Sequence, residues 1–106
     1  MIKAEVVSSS GSIARDLNLP NPEESDLKVS LIVQINRILQ SANLTVSAAA
    51  RAIGIEPGTL ESVLEGDYAD FTVYELMLYL KALGQDVEIV VRPAAAAHAH
   101  LCVLGQ

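Results

Sequence analysis

Six carboxylates, Glu56, Glu61, Glu65, Asp67, Asp70 and Glu75, lie between Arg51 and Lys81 with no base among them. Elsewhere the charges cancel, with five bases against five acids up to Arg51 and two against two from Lys81 onward, so the formal charge of -6 is local. Such a run is either a solvated face that keeps an apolar protein soluble or a surface that docks a basic partner. Catalysis is not expected, because Asp67 and Asp70 have no His or Ser partner. A second set, His98, His100 and Cys102, falls at alternate positions, so an extended tail would turn all three to one side toward a soft metal. Three ligands without a fourth, in a run of alanines, do not make an ordered site, and no metal or cofactor is expected.

The elements that must position these groups follow from composition and periodicity. A chain of 106 residues is one domain's worth of material. Hydrophobic residues make up 51% of it, yet there is one Phe and three Tyr, so the core must be aliphatic. The positive mean hydropathy predicts that a partner covers some apolar surface, which points to an oligomer. Met1–Val7 reads as neither signal peptide nor membrane span, and Cys102 has no intrachain partner, so a cytoplasmic protein without membrane association is expected.

Along the chain, Ile2, Ala4 and Val6 alternate as in a half-exposed strand, and Ser8–Ser12 has the composition of a linker. After a short apolar segment, 13–19, the run Asn21-Pro22-Glu23-Glu24 predicts a helix start with Asn21 as cap and Pro22 in the first turn. That helix should reach Ser41, with Leu27, Leu31, Ile35 and Ile38 on its buried stripe. Thr45 caps a second helix in which Val46, Ala49, Ala50 and Ile53 fall on one face, and Gly54 ends it. A third runs from Pro57, or from a later start capped by Thr59, to Gly66, with Leu60, Val63 and Leu64 inward. Thr72 and Glu75 form a capping box for a fourth that Gly84 closes. Val87–Val91 reads as a second strand, and the domain plan is 1–12 strand and linker, 13–92 helical domain with the C-terminal strand, and 93–106 mobile tail.

Two short helices joined by a Gly turn, at the spacing Ala49, Ala50, Gly54, Ile55, Leu60, Val63 and Leu64, meet the needs of a helix-turn-helix. Together with Asp16-Leu17-Asn18-Leu19-Pro20 before it and Leu83 to Val91 after it, this unit resembles the Xre/Cro-type regulators. Within them it is similar to the small group related to the antitoxins of the host-inhibition-of-growth toxin pairs, over roughly Ser10 to Arg92. The resemblance implies a mostly α, four- to five-helix lambda-repressor-like domain with a small dimer sheet made from the two terminal strands. It implies a homodimer that binds operator DNA and often neutralises a toxin. Its DNA-facing positions would be Val46, Ser47, Arg51, Glu56, Pro57, Gly58, Thr59, Glu61 and Ser62. Relatives carry Gln at the first of these and Ser, Gln and Lys types over 56–59, so this chain departs from the pattern by offering carboxylates. Arg51, Arg37 and Lys28 are the cations that could reach a phosphate backbone, and they are few. A basic toxin-like partner is the alternative, with the chain acting as an interaction module that has lost operator binding.

Val87, Ile89 and Val91 alternate with Glu88, Val90 and Arg92. If two copies pair antiparallel about a two-fold at Val90, Glu88 of one falls opposite Arg92 of the other, twice. Residues 87–92 are therefore the expected dimer interface, joined by Ile2–Val7 in a four-stranded sheet.

Overall fold

The computed structural model describes residues 4–5, 22–95 and 97–105, and its helices run α1 (Pro22–Ser41), α2 (Val46–Ile53), α3 (Pro57–Leu64) and α4 (Val73–Ala82). The expected Asn21 cap, the 8–12 linker, the 13–19 segment and the Asp16–Pro20 motif lie outside the described residues. Pro22 opens α1 as expected, and Glu23 and Glu24 in the first turn complement the positive end of its dipole. Among the described residues no helix is long and apolar enough to cross a membrane.

The core is aliphatic. Ile35, Leu60, Val63 and Leu76 are fully buried, each contributing about 1.5–3 kcal/mol. Leu31, Ile32 and Leu39 of α1 line the same cluster with Leu80 and Tyr79 of α4, and Ala49 and Ala50 close it from α2. Helix α1 packs along α4, α2 packs on α3, and the two pairs meet where α1 touches α3 and α2 touches α4. Tyr79 meets Phe71 edge to face, with ring centroids 6.3 Å apart. Burial, reinforced by the Glu75 carboxylate, pushes the Tyr79 phenol above its ordinary value.

All four helices stop in the same way. A residue with positive φ follows the last turn (Asn43, Gly54, Gly66 or Gly84), and the next N–H donates back five residues. These bonds are Leu44 to Leu39, Ile55 to Ala50, Asp67 to Ser62 and Gln85 to Leu80, at 2.9–3.0 Å. Asparagine serves at the first because its short polar side chain tolerates this conformation. Helix α3 starts at Pro57 and ends at Leu64, two residues before the expected stop, with Gly66 reversing the chain beyond it. Thr72 and Glu75 form the expected capping box: Glu75 N–H donates to Thr72 Oγ1 at 3.0 Å and Thr72 N–H to Glu75 Oε1 at 3.1 Å.

The termini differ from expectation. Residues 87–92 take no regular structure and form no sheet in this chain. The described strands are β1 (Ala4–Glu5) and β2 (Leu104–Gly105), two residues each, paired antiparallel with Ala4 opposite Gly105. The N-terminal strand therefore meets the chain's end rather than Val87–Val91, and the expected four-stranded arrangement is corrected. Gly105 lies so close to the Gln34 carboxamide of α1 that a Cβ there would collide with it. Ser30, about 140° around α1 from Ile35, is 3% exposed, so this helix is covered behind as well as in front.

Gly54 (φ +92°) has nothing within 4 Å of where a Cβ would sit, so an added methyl meets no neighbour and the cost is confined to the backbone. Gly54→Ala is expected to lower unfolding free energy by about 1–2 kcal/mol in urea with an unchanged slope.

Candidate nucleic-acid interface

The interface is built on the contact of α2 with α3. Alanines at 49 and 50, fully buried, leave no side-chain bulk between the helices, so Leu60 and Val63 can lie directly against α2. Thr45 caps α2, its Oγ1 accepting from Ala48 N–H at 3.0 Å, and Gly54 N–H closes the other end on the Ala50 carbonyl at 2.7 Å. Three residues, Gly54, Ile55 and Glu56, then carry the chain into α3, with Ile55 half-buried against the core.

With Ala49 and Ala50 inward, Ser47 and Arg51 share the outer face of α2, four residues apart, and both are exposed. With Leu60 inward on α3, Gly58 and Ser62 lie about 160° and 200° around the helix from it, at the centre of the outer face. Glu61 flanks that centre and Glu65, the C-cap, continues the same side. Glu56, Pro57, Gly58, Thr59, Glu61 and Ser62 are all exposed. Val46 differs: it is half-buried, packs on the core and lines an open groove of about 410 Å³ with Asn36, Gln40, Asn43 and Thr45.

Electrostatically the surface is unusual for its shape. Glu56 caps α3 through its backbone alone (φ −67°, ψ 139°) and makes no side-chain cap hydrogen bond, although a carboxylate at this end is favoured by the dipole. Pro57 in the first turn has no N–H to offer a ligand, while Thr59 and Leu60 donate theirs to the Glu56 carbonyl at 3.0 and 3.2 Å. Arg51 and Arg37 are exposed cations. Lys28 is not: at 9% exposure it is buried on α1, which corrects the expectation that it could reach a phosphate. Glu65 lies outside the expected DNA-facing set, yet its four-residue spacing from Glu61 puts it on the same face, where it is exposed.

The remaining candidates separate from this surface. His98 and His100 are exposed and Cys102 is half-buried, with neighbouring Val103 packed against the core. Among the described residues no three His, Cys, Asp or Glu side chains are placed to hold a metal. Val87, Glu88, Ile89, Val90, Val91 and Arg92 are exposed throughout, reaching 91% at Val91.

Residues 13–92 match the family described as a helix-turn-helix domain. A solved structure described as an XRE family transcriptional regulator is similar at 33% identity and a TM-score of 0.69, over 79% of this chain and 94% of that one. No curated protein matches the sequence.

Gly58 lies in the first turn of α3 with open space where a Cβ would be, and its φ is not positive. Gly58→Ala is expected to raise stability by about 0.5 kcal/mol, read as an increase in the urea midpoint.

Proposed function

This chain belongs to the Xre-type helix-turn-helix regulators, and on that premise we propose that it is an antitoxin-like homodimer that represses transcription by placing α3 of each subunit in the major groove of an operator. One observation carries this reading: the roll of α3, set by buried Leu60 and Val63, turns 58, 61 and 62 outward, while Ser47 and Arg51 are exposed on the outer face of α2. The role proposed is regulatory, resting on the family to which the chain belongs.

Charge sets the terms of binding. A carboxylate ~4 Å from a phosphate costs about 1 kcal/mol even at the dielectric of water. Two per subunit, doubled in a dimer, therefore remove several kcal/mol, against a specific excess of only about 4–10 kcal/mol in typical operators. Arg51 and Arg37 offset part of this, so operator affinity depends on the second subunit and on low ionic strength. The second reading rests on the same exposed acids: Glu56, Glu61, Glu65, Asp67 and Asp70 would dock a basic, toxin-like protein, with the fold kept and operator binding lost.

The dimer is proposed to form through residues 87–92. Their support is an apolar run, Val87, Ile89, Val90 and Val91, that is exposed, from 39% at Val87 to 91% at Val91. Pairing about Val90 brings Glu88 opposite Arg92 twice. Because β1 is engaged with β2, the ribbon has two strands rather than four.

Retardation of the chain's own promoter fragment across a salt series separates the two readings. A steep slope with sequence preference supports the regulator, and no retardation even at low salt supports the adaptor. Arg51→Gln is expected to reduce the slope by about 1 for each phosphate that the guanidinium neutralises. Arg92→Glu places like charges opposite each other and is expected to shift sedimentation toward the monomer; an unchanged mass would count against the two-fold at Val90.

A further inference from the structure

Operator binding of the kind proposed above raises the question of which base this α3 can read, and its side chains narrow the answer. Resting on that reading, we infer that Glu61 is the base-discriminating residue and that it selects cytosine, accepting from the N4 amino group in the major groove.

Three observations meet at this position. Leu60 and Val63, both fully buried, leave α3 no freedom to roll, so the outward positions are fixed. The centre of the outer face is low, because Gly58 has no side chain, open space stands above it, and Ser62 is short. A helix with a low centre approaches the groove floor closely, and the longer Glu61 beside it reaches the base edges. Finally, the hydrogen-bonding chemistry of the face is narrow. Thr59 and Ser62 hydroxyls both donate and accept and so discriminate weakly, Pro57 is apolar, and the acceptors are Glu61 and Glu65, of which Glu65 stands at the C-terminal end of α3, away from the N-terminal part of a recognition helix that meets the bases.

An accepting group needs a donor, and the major-groove edges present two, cytosine N4 and adenine N6. Adenine N6 lies between two acceptors, its own N7 and O4 of the paired thymine. Cytosine N4 has an acceptor on one side only, O6 of the paired guanine. A carboxylate is therefore repelled less at cytosine, and the charge that weakens binding everywhere becomes the source of selectivity at one base pair.

The test is selection from a duplex library randomised over about 20 base pairs, two helical turns, by the full chain and by Glu61→Gln at about 50 mM salt. The native chain is expected to retain duplexes with cytosine fixed at one position of each half-site. Replacing that C·G pair by A·T should weaken its binding about tenfold, the scale of a single mismatch. The variant is expected to exchange cytosine for adenine, because a carboxamide accepts from N6 while donating to N7. Retained duplexes without a fixed cytosine, or a variant that keeps it, overturn the inference and leave operator binding standing. A native chain that retains no duplex overturns both. Glu61 is exposed, so the substitution leaves the core intact, and the native selection alone is sufficient to refute the assignment.

Discussion

The close contact between Ala49–Ala50 of α2 and Leu60–Val63 of α3 is what the rest of the molecule depends on. All four are fully buried, and they meet Ile35 of α1 and Leu76 of α4 in one cluster. A methyl is the largest side chain that these two positions of α2 present, so the helices touch almost backbone to side chain. Any bulk added there would tilt α3 and redirect its outer face, since close-packed interiors transmit such changes instead of absorbing them. The direction in which Gly58, Glu61 and Ser62 point is thus decided inside the core.

Around that contact the frame is made firm by its terminations. Each helix ends on a positive-φ residue followed by a hydrogen bond five residues back, which satisfies an orphan carbonyl and reverses the chain at once. Short helices of eight residues are marginal alone. Here the Thr45 hydroxyl and the Gly54 and Gly66 turns hold their ends, and burial of one face does the rest. The outer surface is then free to carry charge of either sign without effect on the fold. That freedom is why a scaffold built for phosphate can bear Glu56, Glu61 and Glu65, with affinity and selectivity drawing on different residues.

The two ends of the chain show the opposite behaviour, because nothing in the core dictates them. Alternation in Ile2–Val7 and Val87–Val91 is equally compatible with pairing to each other, to a second copy or to another segment. In the folded chain β1 pairs with Leu104–Gly105, a partner without strand periodicity, against the back of α1. Gly105 permits this approach because it has no Cβ to collide with the Gln34 carboxamide, whose Nε2 is buried. Val87–Arg92 is left uncovered.

By itself the sequence determined what local chemistry and helical period govern: the capping of α2 and α4, the Gly54 turn, the inward positions Val46, Leu60, Val63 and Leu76, and the confinement of negative charge to one stretch. These are legible because caps act over three or four residues and amphipathic faces repeat every 3.6. Tertiary structure alone decided what depends on contacts distant in sequence. It buried Lys28 and Ser30 on α1 and joined the N-terminal strand to residues 104–105. Burial of a polar residue and the choice between strand partners depend on which surface arrives from elsewhere in the chain, and neither leaves a period or a cap in the local sequence.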